Sequence, residues 1–236
     1  MQSPVTLYLL PGMVADQRYF KEFRRLLQPY PTRCLDWVTP HPKQGMPEYA
    51  RRIARQVDPA SNPLFFGVSL GGMVAIELQA LFPGNPAILV SSAKHKGEIP
   101  SHGRFLGNLG AHRLLPVGLI KKRLLRKPPF DASIGEEKIH NFIHMLEGRP
   151  ERFIRWAAGA ATRWKREAPS GEVWHFHGTS DQLIPEKNIS GHIRIEGGSH
   201  FMMTDRTEVL AAEIHRLLAK NQFSPMAQAP HVKRGE

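Results

Sequence analysis

Short apolar runs alternate with helical patterns along most of this 236-residue chain, and that alternation limits its fold more than any other feature. Six runs have the length and the near-continuous apolar character of strands that are buried on both faces. The runs span 5–10, 32–38, 64–68, 86–93, 172–178 and 192–198, and helical patterns cover 16–28, 47–57, 70–82 and about 205–220. The sequence therefore predicts an α/β protein with a mostly parallel sheet covered by helices on both faces.

The alternation breaks between residues 94 and 170, where no strand pattern occurs. Helical patterns in this segment span 112–126, 136–147 and 150–165. We therefore predict that 94–170 is a helical cap, inserted between two strands of a core that consists of 1–93 and 171–221. The last residues, 222–236, lack hydrophobic periodicity, which predicts a disordered tail.

Composition narrows the class of protein further. No apolar stretch approaches the ~20 residues of a membrane span, and the N-terminus has no secretory signal pattern. Cys34 is the only cysteine, so no internal disulfide can form, which is typical of a reducing compartment. These features predict a cytoplasmic protein.

Positive charge is concentrated in the predicted cap. The formal net charge is +11, and residues 94–168 hold 16 Lys and Arg against 7 Asp and Glu. Such a block can face nucleic acid, a membrane surface or an acidic partner, although a solvated surface is commoner. No zinc-finger, RNP-like or coiled-coil pattern accompanies it, so nucleic-acid binding is not expected. A cluster such as KKRLLRK at 121–127 would favour anionic small-molecule substrates if it borders the site.

Ser69 lies in a G-x-S-x-G motif, Gly67-Val68-Ser69-Leu70-Gly71, with a predicted strand before it and a predicted helix after it. A sharp strand-to-helix turn places the serine in a strained backbone conformation, and glycines at the flanking positions remove the clashes that side chains would cause. The turn also sets the hydroxyl at a helix N-terminus, where developing negative charge is stabilised. This context predicts a nucleophilic serine.

A nucleophilic serine needs a base, and the base needs a group that orients it. His200 lies in a loop between the last predicted strand and the last helix, and Asp181 follows the strand before it. Asp16 and Asp205 are weaker candidates for the acid, because each stands at the start of a predicted helix and has the pattern of a cap. We predict Ser69, Asp181 and His200 as a catalytic triad.

These motifs resemble the α/β-hydrolase superfamily: GVSLG as the nucleophile elbow, HGTSDQLIP as the acid loop and GGSH as the histidine loop. The resemblance covers roughly 1–93 and 171–220 and implies a trimmed sheet of about six strands. It also implies that the backbone N–H groups of Met13 and Leu70 bind the oxyanion. The family normally has His-Gly after its first central strand, whereas this chain has Pro11-Gly12.

The resemblance implies a serine hydrolase that cleaves a small-molecule carboxylic ester or thioester through an acyl-enzyme, with no metal or organic cofactor. Other reactions of the same triad remain open, namely C–C hydrolase, lyase and haloperoxidase chemistry, as does a non-catalytic ligand-binding module of this fold. His175 and His177 alternate along one predicted strand and would point the same way. No third ligand accompanies them, so the sequence does not predict a metal site there.

Overall fold

In the computed structural model, the described residues are 4–101, 105, 110, 114–130 and 134–223. Nearly all of the tail predicted at 222–236, and the first residues of the helix predicted at 112–126, lie outside them.

Six parallel strands form one sheet, which confirms the predicted α/β class and strand number. The strands are β1 (Thr6–Leu10), β2 (Thr32–Cys34), β3 (Pro63–Val68), β4 (Ala87–Val90), β5 (Val173–Gly178) and β6 (Ile193–Ile195). Their order across the sheet is β2-β1-β3-β4-β5-β6. The chain leaves β1 for one side and returns as β3 on the other, so the carboxyl ends of β1 and β3 border a crevice of the kind where such sheets bind ligands.

Eight α-helices accompany the sheet within the described residues. They are α1 (Lys21–Leu26), α2 (Met46–Ile53), α3 (Leu70–Leu81), α4 (Val117–Arg126), α5 (Glu136–Gly148), α6 (Glu151–Thr162), α7 (Met202–Asp205) and α8 (Thr207–Lys220). Among the residues that the structure describes, no helix is long and apolar enough to cross a membrane.

Both faces of the sheet are buried, as the continuous apolar strands predict. Successive side chains of a strand point to opposite faces, so Tyr8 and Phe65 belong to one core cluster and Leu9 and Phe66 to another. The first cluster includes residues of α2, α3 and α6, and the second includes residues of α1, α7 and α8. The sheet is thereby held rigid on both sides, which fixes the loops at its carboxyl edge.

The segment between β4 and β5 packs against the core through its later helices. Phe153 of α6 is buried in the cluster that contains α3. Just after α6, Trp164 Nε1 donates to the buried carboxylate of Glu77 in α3 at 2.7 Å, and Arg166 Nη2 donates to the same carboxylate at 2.5 Å. Phe153 and Trp164 therefore serve the core, as aromatic residues at helical spacing commonly do.

Several element boundaries differ from the sequence prediction, among them the strands predicted at 86–93 and 192–198, which end at Val90 and Ile195. The strand predicted at 32–38 ends at Cys34, because the chain then turns away from the sheet and Val38 pairs with the side chain of Tyr49 instead. The last helix is broken between Asp205 and Thr207, which gives the short α7 before α8. Asp205 does not cap α8, since its carboxylate accepts a hydrogen bond from the Ser199 hydroxyl.

Candidate active site

Ser69 is the one residue between β3 and α3. Its backbone has φ 76° and ψ −112°, in the half of conformational space that residues with side chains rarely adopt. Hydrogen bonds hold this strained residue on both sides: its N–H donates to Val90 O at 3.0 Å, and its carbonyl accepts the Ser92 hydroxyl at 2.7 Å. The sharp turn therefore lifts the Ser69 hydroxyl above the carboxyl edge of the sheet, at the N-terminus of α3.

The flanking glycines are required by close backbone contacts. A Cβ on Gly67 would lie 2.3 Å from Gly71 O, and a Cβ on Gly71 would lie 2.3 Å from Leu10 O. Backbone oxygens cannot turn aside as side chains can, so neither position admits alanine without a shift of the main chain. Gly72, outside the five-residue motif, is also closely packed, but against a side chain. Its Cβ would lie 2.3 Å from Ser92 Oγ and 2.6 Å from Ser92 Cβ.

The structure brings Ser69, His200 and Asp181 into one hydrogen-bonded row. Ser69 Oγ lies 2.9 Å from His200 Nε2, and His200 Nδ1 lies 2.8 Å from Asp181 Oδ2. An ionised carboxylate can only accept, so the imidazole proton is on Nδ1. That leaves the lone pair of Nε2 to accept the hydrogen bond from the Ser69 hydroxyl. The arrangement is that of a nucleophile, a base and an orienting acid.

Asp181 is almost completely buried and has partners on both oxygens. Oδ1 accepts the N–H groups of Leu183 and Ile184, each at 2.9 Å, while Oδ2 faces His200. Burial by itself raises the pKa of Asp181, but the His200 hydrogen bond and charge, with smaller help from Ile184 and His177, bring it below the ordinary value. The acid is therefore held in its ionised form, which is the form that orients an imidazole.

Backbone contacts lock the two loops that carry Asp181 and His200. Thr179 N donates to Ile195 O at 3.1 Å, and Ser180 N donates to Gly198 O at 3.0 Å. Gly178 also allows a close approach, since a Cβ there would lie 2.2 Å from Gly198 O. The distance between the acid and the base is thus set by main-chain geometry.

His177 is a neighbour of Asp181 that the sequence analysis did not assign to the site. Its Nε2 donates to Ile184 O at 2.8 Å and lies 3.5 Å from Asp181 Oδ2, and its Nδ1 is 3.3 Å from His175 Nε2. Burial lowers the pKa of both histidines, most strongly that of His175, so both are neutral. A signal was present in the sequence, because a histidine at the end of the strand stands four positions before the acid.

The described residues contain no group of three or more His, Cys, Asp or Glu side chains that could hold a metal ion. His175 Nε2 and His177 Nδ1 lie 3.3 Å apart, so the two rings contact each other directly. The ring of His192 lies 5.9 Å from that of His177. The pair is better explained as a buried support under Asp181.

The predicted oxyanion donors lie on the two segments that meet at Ser69. Leu70 is the first residue of α3, so its N–H has no acceptor within the helix. On the other side, a Cβ on Gly12 would lie 3.8 Å from Ser69 Cβ, which puts the loop of Met13 against the nucleophile. Trp37 Nε1 donates to Gly12 O at 3.3 Å.

Comparison with known proteins gives structural likeness without sequence likeness. No protein-family model matches the chain, and no curated protein sequence does. Among solved structures, an esterase from Thermogutta terrifontis superposes with a TM-score of 0.67 at 17% identity, over 93% of this chain and 91% of that one. RedJ thioesterase from the prodiginine pathway of Streptomyces coelicolor gives 0.66 at 13% identity, over 91% and 90%. A Pseudomonas aeruginosa hydrolase gives 0.69 at 14% identity, over 92% and 90%. The chain has the α/β-hydrolase fold.

Proposed function

We propose that the protein is a serine hydrolase that cleaves a carboxylic ester or thioester through an acyl-enzyme. The observation that carries the proposal is the continuous row from the Ser69 hydroxyl through His200 to the buried Asp181, with hydrogen bonds of 2.9 and 2.8 Å. Esterases and a thioesterase are among the similar structures, and their reactions agree with the proposed class. At 13–17% identity, the likeness itself shows a shared fold.

In the proposed mechanism, Ser69 Oγ attacks the carbonyl carbon while His200 Nε2 takes the hydroxyl proton. The N–H groups of Met13 and Leu70 stabilise the negative oxygen of the tetrahedral intermediate. The intermediate collapses, and the leaving alcohol or thiol takes the proton from His200. A water molecule then attacks the acyl-enzyme, with His200 again as the base, and releases the carboxylic acid and free Ser69.

We also propose that 94–170 acts as the cap over this site. Its α5 reaches the histidine loop, because the ring of Phe142 lies 5.6 Å from that of Phe201, the residue after His200. Lys138 Nζ donates to Thr204 O at 3.2 Å in the same region. Both contacts support the proposal, because a cap that selects substrates has to lie close to the catalytic base.

Ser69→Ala tests the proposal. Wild-type protein should hydrolyse short p-nitrophenyl esters or acyl thioesters, and the variant should lose roughly three or more orders of magnitude in kcat while it keeps its unfolding midpoint. Ser170→Ala is the matched control, since Ser170 is exposed and its side chain has no role in the site. Equal activity in wild type and Ser69→Ala would reject the proposed nucleophile.

A further inference from the structure

Arg149 extends from the end of α5 towards the loop that holds the predicted oxyanion donor Met13. Its Nη2 donates to Ala15 O at 2.6 Å, and Ala15 N in turn donates to Gly12 O at 3.1 Å. The guanidinium lies over the ring of Phe153, with its carbon 5.0 Å from the ring centroid. The side chain is therefore fixed against the oxyanion loop by a hydrogen bond and a cation–π contact.

Most of the hydrogen-bonding capacity of Arg149 is unused. Its Nε is buried and has no partner, and no carboxylate in the described part of the chain forms a salt bridge with the guanidinium. The nearest acid, Asp16, is taken up by Arg18, whose backbone N–H and side chain donate to both of its oxygens. Burial lowers the pKa of Arg149, and Asp16 only partly offsets that effect. A half-buried guanidinium whose buried Nε–H has no partner would gain from an anionic ligand.

A cavity of about 320 Å³ lies at this guanidinium. Its wall includes Pro11, Trp37, Met145 and Arg149. Pro11 directly precedes Gly12, whose Cβ position lies 3.8 Å from Ser69 Cβ, so one wall of the cavity belongs to the loop that packs against Ser69. The volume is at the lower end of the range for small-molecule sites, so it suits a compact group and not a long chain. Asp16, Asp36 and Arg18 also line the cavity. Arg18 is paired with Asp16, so Arg149 faces the remaining carboxylate of Asp36, and a ligand with a single negative charge fits the cavity better than a dianion.

We propose that Arg149 binds a carboxylate carried by the substrate a few bonds from the scissile carbonyl, so that the preferred substrate is an ester or thioester with a second, free carboxylate. The inference rests on the proposed hydrolase function and specifies its substrate class. A guanidinium matches a carboxylate because two parallel N–H donors meet its two oxygens. The Phe153 ring keeps the guanidinium in place for that contact.

The test measures kcat/KM for four p-nitrophenyl or acetyl esters of similar size. p-Nitrophenyl hydrogen succinate has the carboxylate on the acyl side, acetylglycolate has it on the leaving group, and p-nitrophenyl butyrate is neutral. Wild type should favour at least one anionic ester over its neutral counterpart. The ester that is favoured shows whether the cavity accepts the acyl group or the leaving group. For acetylglycolate, the neutral counterpart is its methyl ester.

Arg149→Gln should reduce the preference for anionic over neutral esters at least about tenfold, mainly through KM. Loss of the hydrogen bond to Ala15 O lowers kcat for both classes of ester alike, so it does not change this ratio. Arg149→Lys should restore part of the preference, because it keeps the charge and loses the fork. Arg152→Gln is the control, since Arg152 is an exposed arginine near the start of α6 and does not line this cavity. The control should keep the wild-type preference.

Two results would overturn the inference: an equal loss on neutral and anionic esters in Arg149→Gln, which a purely structural role predicts, or no loss at all. If Arg149→Gln fails to fold, inhibition of the wild type decides, with succinate expected to inhibit ester hydrolysis more strongly than succinamide. Equal inhibition would then reject the carboxylate site. Hydrolysis of the neutral ester by wild type, and its loss in Ser69→Ala, are measured separately from these outcomes, so failure here is distinct from failure of the proposed function.

Discussion

The two oxygens of Asp181 have different partners, and the difference explains how one carboxylate can fix the imidazole. Oδ1 is held by two backbone N–H groups of the following turn, and only Oδ2 faces His200. His177 braces the same turn from below through Ile184 O. Ser69, Asp181 and His200 could be selected from the sequence because each follows an apolar strand. The position of His177, four residues before Asp181, was a signal that the two are related, but the contact with Ile184 O depends on how the turn folds back over β5.

Asp181→Asn should lower kcat by roughly three or more orders of magnitude with little change in KM. An amide can donate to Nδ1, which would move the imidazole proton to Nε2 and remove the acceptor for the Ser69 hydroxyl. The measurement is steady-state ester hydrolysis, with Asp205→Asn as the comparison, because Asp205 is the nearby carboxylate that binds Ser199. Near-full activity of Asp181→Asn, or a larger loss in Asp205→Asn, would assign the orienting acid elsewhere.

At the scale of elements, the elbow depends on close contact between β1, β3 and α3. The pattern of apolar runs was enough to predict these elements and their parallel arrangement. It could not give the end of β2, because Trp37 and Val38 continue the apolar pattern after the chain has left the sheet. Their partners, Gly12 O for Trp37 and the Tyr49 hydroxyl for Val38, come from distant parts of the chain.

Gly71→Ala should lower the free energy of unfolding by roughly 2 kcal/mol or more, because the new Cβ would meet the backbone oxygens of Leu10 and Pro11 at 2.3 and 2.5 Å. Gly148→Ala in α5 is the matched control, since nothing lies within 4 Å of its Cβ position. That change should be neutral or stabilising by about 0.5–1 kcal/mol. Chemical denaturation measures both. Equal stability of Gly71→Ala and wild type would show that the elbow is looser than described.

At the scale of the whole molecule, the excess of basic residues was evident from the sequence. The contacts that each basic side chain makes could not be predicted from it. Lys121 Nζ donates to the carbonyls of Glu147 and Arg149 at 3.0 and 3.1 Å, so it closes the end of α5. Its neighbours Lys122, Arg123, Arg126 and Lys127 are exposed. Arg149 is a single residue within the same basic segment, and its contact with Ala15 joins positions 134 apart in the chain. No local pattern predicts such a contact.

Acid should destabilise the protein through its buried histidines. The pKa of His175 lies well below 6.5 because of burial and the neighbouring His177, Lys94 and His192, and burial also lowers that of His177. Below about pH 6.5 the unfolded chain binds protons that the folded protein does not, so the free energy of unfolding falls as pH falls towards the folded pKa values. The slope is at most about 1.4 kcal/mol per pH unit for each histidine.

The ionised Asp181 adds a separate loss of stability at lower pH, below about 4, because its folded pKa is below the ordinary 3.8.

Denaturation of His175→Gln between about pH 7 and 5 checks this prediction. The variant should show a smaller pH slope than wild type, whatever its stability at pH 7. His41→Gln is the control, because His41 is exposed and its removal should leave the slope unchanged. The same slope in wild type and His175→Gln would mean that His175 is not the buried titrating group described.

The most direct test of the account is covalent labelling with a fluorophosphonate, followed by intact mass and peptide mapping. Only an activated hydroxyl reacts readily with this reagent, so wild type should gain one adduct, on Ser69. His200→Ala should react far more slowly, and Ser170→Ala should react like wild type. An adduct on another residue, or no adduct on folded wild-type protein, would contradict the claim that His200 activates Ser69.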